Sequence, residues 1–147
     1  MFFFEEVKLR LKMAFNGCWV EYKNENLKEF LVALGIDVSK LGDLDNLKQQ
    51  LTVKQEGDKF TITEKSVFRT KEISWTMGEE FMGDPADGSV MKGTYTFESP
   101  THYVGKFKRV SDGKELVNSR QVDGDEMLQT TKIDDVELKK YFKRKEV

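Results

Sequence analysis

The chain of 147 residues is poor in the residue types that build most catalytic and metal centres. It has one cysteine, Cys18, so no intramolecular disulfide can form, and the sequence suits a reducing compartment with Cys18 as a small, at least half-buried side chain. Its one histidine, His102, falls in the turn-like Ser99-Pro100-Thr101-His102 and reads as solvent-facing. A His/Cys metal site, a Ser-His-Asp triad and a Cys-His pair are all disfavoured. No acid offers a convincing general base either, because Glu126, Asp134 and Asp135 read as turn or exposed positions. The sequence therefore argues against an enzyme and calls for no cofactor or metal. Charge of one sign is also lacking: the net charge is -2 and acids alternate with bases, which excludes a nucleic-acid partner. There is no apolar run of about 18 residues, so no transmembrane helix is expected.

What is present is organised by period. The opening Met1 to Lys12, MFFFEEVKLRLK, lacks the basic start and small-residue cleavage site of an export signal, and is expected to be a disordered or loosely attached extension. Residues 13–147 are expected to form one domain, large enough to bury roughly two thirds of the surface that its unfolded chain exposes. Ala14 to Tyr22 alternates as a strand, with Trp19 as a core anchor. Asn24-Glu25-Asn26 can cap a helix in which Leu27, Phe30, Leu31 and Leu34 share one face and Gly35 ends the run. A second helix is expected from about Val38 to Leu47, weakened by Gly42. The pair would be a helix-turn-helix, but without the basic recognition helix that DNA binding requires.

Beyond residue 50 the period drops to two. Nine short β-prone runs follow, punctuated by turn signals every ten residues or so, and the pattern predicts an antiparallel meander. A sheet this long must protect its edges, and closure into a barrel is the usual solution. Val104 to Arg144 supplies four of the strands, with Asp112-Gly113 and Asp123-Gly124 as two-residue hairpin loops.

On one face of the strand around Arg120 lie Leu116, Asn118 and Val122, so Arg120 points inward. A buried guanidinium requires an anionic partner, from the protein or from a ligand. Gln55, Glu64, Gln129 and Lys140 share the parity of apolar inward sets such as Leu51/Val53, Phe60/Ile62, Ile73/Trp75/Met77, Tyr95/Phe97 and Tyr103/Phe107. Polar groups mixed into an interior imply a hydrated cavity rather than a solid core.

The runs MAFNGCW, NENLKEFLVALGI, QEGDKFTI, GEEF, ADGS, GTYT, VGKFKRVSDGKEL, GDEMLQT and VELKKYFKR resemble, in order, those of the intracellular fatty-acid-binding proteins of the calycin group, in particular the intestinal type. The resemblance spans Met13 to the C-terminus. It implies a mainly β fold, a ten-stranded antiparallel up-and-down barrel capped by a helix-turn-helix lid. It also implies a cytoplasmic, monomeric carrier of long-chain fatty acids. Retinoic acid or a bile acid is an alternative hydrophobic carboxylate, and a filled barrel acting as an interaction domain is a further alternative.

By the same resemblance Arg120 stands where the family meets the ligand carboxylate, with Gln129 and Tyr95 beside it. Lys140 and Phe142 stand near a position where many relatives carry Arg-x-Tyr, and Lys140 in place of arginine is a departure. The frame with Lys140 and Phe142 inward is preferred, since the other would bury Glu137 and expose Leu138. Glu64 is expected to pair with Lys140, leaving Arg120 for the ligand. Phe60, Ile62, Ile73, Trp75, Met77, Phe97 and Phe107 are expected walls for the acyl chain. Leu31, Phe68, Ala86 and Asp87 are expected at the portal, and the lid is expected to touch membranes transiently at most, because it carries little positive charge.

Overall fold

A computed structural model describes residues 13–67, 69–83 and 90–145. The expected extension over residues 1–12 and the portal positions Phe68, Ala86 and Asp87 lie outside the described residues. Ten strands follow the meander pattern: β1 Gly17–Glu25, β2 Gln50–Glu56, β3 Lys59–Lys65, β4 Thr70–Thr76, β5 Phe81–Gly83, β6 Met91–Ser99, β7 His102–Arg109, β8 Glu115–Asp123, β9 Glu126–Ile133 and β10 Val136–Lys145. One α-helix, α1 Leu27–Leu34, and two 3-10 turns, Val38–Lys40 and Leu44–Leu47, lie between β1 and β2.

All the pairings are antiparallel, in the order β4-β3-β2-β1-β10-β9-β8-β7-β6-β5. Pairing of the first strand with the last, Trp19 opposite Arg144, turns the meander into a nearly closed barrel, with β4 and β5 as its edges among the described residues. The inward parities agree with the alternation read from the sequence: Leu116, Asn118, Arg120 and Val122 are buried on β8, and Leu138, Lys140 and Phe142 on β10.

Several local expectations differ. β1 starts at Gly17, because side chains take over the backbone partners just before it: Asn16 and Gln55 exchange hydrogen bonds, and Arg144 donates to the carbonyls of Ala14 and Asn16. Asn26 sits at the helix start at φ 66, but its side chain donates to the Glu137 carbonyl instead of capping. The expected second helix is two 3-10 turns divided by Gly42 at φ 70, a left-handed conformation that no helix can pass through. The Asp112-Gly113 turn belongs to a longer loop joining Arg109 to Glu115, whereas β8 and β9 are joined by Gly124-Asp125 alone. His102 is half-buried at the start of β7 rather than in a turn.

The closed end of the barrel is filled. Phe60 packs against Phe15, Trp75, Phe97 and Tyr103 at ring distances of 5.7, 5.2, 5.9 and 5.3 Å, while Trp19 is fully buried and donates its Nε1 proton to the Phe15 carbonyl. The other end is covered by α1, whose Leu27, Phe30, Leu31 and Leu34 turn inward over β9 and β10.

Candidate functional site

Between the aromatic plug and the lid lies a cavity of about 510 Å³. Its roof is formed by the apolar face of α1 with Ile36, Leu41 and Leu47 from the turns. Its walls include Ile73, Trp75, Phe81, Met91, Phe107, Leu116 and Leu138. Small-molecule sites typically occupy roughly 300–1,000 Å³, are mainly apolar and hold a few placed polar groups, a description that this cavity meets.

The polar groups come from one row across the sheet. Arg120, Gln129 and Lys140 are register partners on β8, β9 and β10, so their inward side chains stand side by side. Arg120 donates from Nε to Gln129 Oε1 at 3.0 Å and from Nη1 to the Tyr103 hydroxyl at 2.7 Å. Gln129 Nε2 reaches Thr131 Oγ1 at 3.5 Å, Thr131 donates to Asn118 Oδ1 at 3.1 Å, and Asn118 Nδ2 donates to the Tyr95 hydroxyl at 2.6 Å. Each member fixes the rotamer of the next, which pre-organises the row.

Burial pushes the Tyr95 and Tyr103 hydroxyls up from the ordinary phenol value, so both stay neutral over the working pH range. Burial works against the charge on Arg120, but the hydrogen bond to the Tyr103 hydroxyl and the facing Glu64 carboxylate favour it, and the guanidinium is held above its ordinary value. Of its five N–H donors only two are hydrogen-bonded among the described residues, so the cation keeps donor capacity toward the cavity.

The ion pairs differ from the expected allocation. Glu64 does not pair with Lys140. Its Oε1 faces Arg120 Nη2 at 3.7 Å, while Lys140 Nζ lies 3.6 Å from Glu21 Oε1 and donates to Gln49 Oε1 at 3.0 Å. The reason is the position of β1 beside β10. Glu21 shares the inward face of Trp19, is buried, and accepts from the Gln49 backbone N–H at 2.9 Å and from Asn24 Nδ2 at 2.8 Å. Parity with Trp19 was the sequence signal that could have found Glu21. Asn118, Thr131 and Tyr103 are the other polar members that the sequence reading did not single out for the site.

Of the expected site residues, Arg120, Gln129, Tyr95, Lys140, Glu64, Trp75, Ile73 and Phe107 line the cavity, as does Leu31 from the lid. Phe60, Ile62 and Phe142 do not. Although they point inward, they lie in the fully packed core, 1, 1 and 0% exposed. Along β3 the inward row runs Phe60, Ile62, Glu64, and the plug around Phe15 already fills the space in front of Phe60. Met77 and Phe97 likewise pack against the core without lining the cavity.

Residues 16–145 match the model of the lipocalin / cytosolic fatty-acid binding protein family. The chain is 46% identical over 134 residues to the intestinal fatty acid-binding protein of Rattus norvegicus and 40% identical to that of Homo sapiens; each alignment covers 90% of this chain and 99% of the relative. A solved structure of a Schistosoma mansoni fatty acid binding protein in complex with arachidonic acid superposes with a TM-score of 0.81 at 26% identity, covering 90% of this chain and 97% of that one. The chain belongs to the lipocalin / cytosolic fatty-acid binding protein family.

Proposed function

We propose that the protein is a carrier that reversibly binds a long-chain fatty acid in the cavity, with the carboxylate at Arg120 and the acyl chain on the apolar walls. The observation that carries this reading is Arg120 itself, a guanidinium 4% exposed that faces a cavity with apolar walls and has donors to spare. Removing an acyl chain from water contributes about 0.8 kcal/mol per methylene before ordering costs. A charge-assisted contact with Arg120 then satisfies the carboxylate, which would otherwise oppose burial. Gln129, Tyr103, Tyr95 and the Asn118/Thr131 pair hold the guanidinium and offer further polar contacts to the head group.

The named relatives support fatty acids over retinoic or bile acids as the cargo. An open cavity of about 510 Å³ argues against a filled interaction barrel. On the same reading the protein works as a cytoplasmic monomer without catalytic activity. Residues 13–147 carry the binding function, and the lid makes at most transient membrane contact. Among the described residues no helix is long and apolar enough to cross a membrane.

The test is selective loss. Arg120→Ala should weaken oleate binding by about 10- to 100-fold, the range of one charge-assisted contact, while leaving oleyl alcohol within a few-fold of the parent. Displacement of a fluorescent fatty acid from delipidated protein measures both, and equal losses for acid and alcohol would remove the anchor role.

A further inference from the structure

The fatty-acid reading brings a carboxylate to a guanidinium that already faces one. Glu64 Oε1 lies 3.7 Å from Arg120 Nη2, the two side chains 21% and 5% exposed. The neighbouring cation in the row, Lys140, is occupied by Glu21, 3.6 Å away and completely buried. Each of the two cations of the polar row thus already faces a carboxylate before any ligand arrives. A fatty-acid anion makes a third carboxylate in a space walled largely by apolar side chains, where an uncompensated charge is strongly disfavoured.

The other groups around Glu64 do little to offset it. Tyr95 on β6 and Tyr103 on β7 are buried neutral phenols and supply no charge. Gln49 is neutral and already engaged by Lys140. Lys71, opposite Glu64 across the β3–β4 ladder, and Arg69 also line the cavity, but Arg69 is exposed and Lys71 half-buried, so water screens their charges more than that of Arg120. Two carboxylates that share one buried cation relieve their repulsion by keeping one proton between them.

We infer that uptake of a fatty acid is linked to a proton: the ligand carboxyl and Glu64 share one proton beside Arg120, which makes Glu64 the residue that sets the pH dependence of binding. This rests on the reading that the ligand carboxylate reaches Arg120. The balance is one fatty-acid anion plus one proton from solvent binding to the empty protein, with no bond other than the carboxyl O–H being formed. Since the complex holds more protons than its separated parts, affinity is highest at low pH. It falls as pH rises, by up to about tenfold per pH unit where a full proton is taken up. A long-chain alcohol brings no charge and takes up no proton.

Titration calorimetry of monomeric oleate into the delipidated full-length protein, in two buffers of different ionisation enthalpy near neutral pH, counts the protons directly. The expected result is uptake approaching one proton for the parent chain and none for Glu64→Gln, whose neutral amide keeps the shape beside Arg120. Glu64→Gln should also bind oleate more tightly than the parent at the alkaline end of the range and show a flat pH profile. Tight oleate binding by the parent with no proton uptake overturns the linkage, whether or not the variant folds. Uptake unchanged in a folded Glu64→Gln protein overturns the assignment to Glu64. Failure of oleate to bind the parent at all removes the fatty-acid reading itself, a result distinct from either.

Discussion

Lys140 and Glu21 form the most deeply buried ion pair among the described residues, with side chains 9% and 0% exposed. Such a pair adds little net stability, because desolvation offsets most of the attraction, but breaking it from one side strands a charge at a cost of about 3–5 kcal/mol. Lys140→Met should therefore destabilise the fold by about 3 kcal/mol. Adding Glu21→Gln should recover a large part of that loss, since the amide oxygen can still accept from the Gln49 backbone N–H that Glu21 now satisfies. Urea denaturation of the two variants checks it, and a double variant no more stable than Lys140→Met would show that the charge of Glu21 is not what the lysine neutralises. At this scale the sequence was legible where strand parity alone decides. Period-two alternation placed Arg120, Gln129, Glu64 and Lys140 inward and chose the Lys140/Phe142 frame on β10. It could not assign their partners, since Glu64 meets Arg120 across the barrel interior, from strands 56 residues apart in the chain, and that distance is set by how the whole sheet curls. Nor could parity say where the solid core stops and the cavity begins, which is why Phe60, Ile62, Met77 and Phe97 read as walls.

The lid shows a different kind of limit. α1 was legible because its four inward residues fall at helical spacing and Gly35 ends it, at φ 95, with its N–H returned to the last turn. The stretch after it has leucines at 41, 44 and 47, a spacing that suits an α-helix and a string of 3-10 turns almost equally well. Backbone conformation at one residue separates them. Gly42 at φ 70 reverses the chain between the turns, and Leu41 and Leu47 still reach the cavity. The two structures predict opposite signs for Gly42→Ala. In a continuous helix alanine would add about 1 kcal/mol; in the left-handed position it should instead cost about 1 kcal/mol, with no gain of helix. Denaturation midpoint and far-ultraviolet circular dichroism decide the sign. A stabilised, more helical variant would mean that the lid passes through Gly42 as one helix. Because nothing lies within 4 Å of a Cβ built at that position, the effect would report backbone conformation and not a clash.

At the level of the whole molecule, the barrel keeps an apolar space that a fully packed protein would fill. Turn spacing and alternation made the meander and its closure readable, since a ten-strand sheet has no other cheap way to hide its edges. The size of the space left inside was not readable, because it depends on how far the plug around Phe60 extends toward the lid. An empty cavity forgoes packing contacts that its walls would otherwise make, so the ligand-free protein should sit below its attainable stability. The unfolded chain has no cavity, so a fatty acid binds the native state alone and shifts unfolding by mass action. Free ligand at a hundred times Kd adds about 2.7 kcal/mol. For a protein of this length, each 1 kcal/mol moves the melting temperature by about 2–4 °C, so saturating oleate should raise Tm by about 5–10 °C. The rise should grow with the logarithm of free ligand, and Arg120→Ala should need correspondingly more oleate to reach it. Calorimetric scans of delipidated protein at several oleate concentrations test this directly. A Tm that stays fixed up to saturating oleate would mean that the cavity is not a fatty-acid site, whatever the affinity of the surface for lipid.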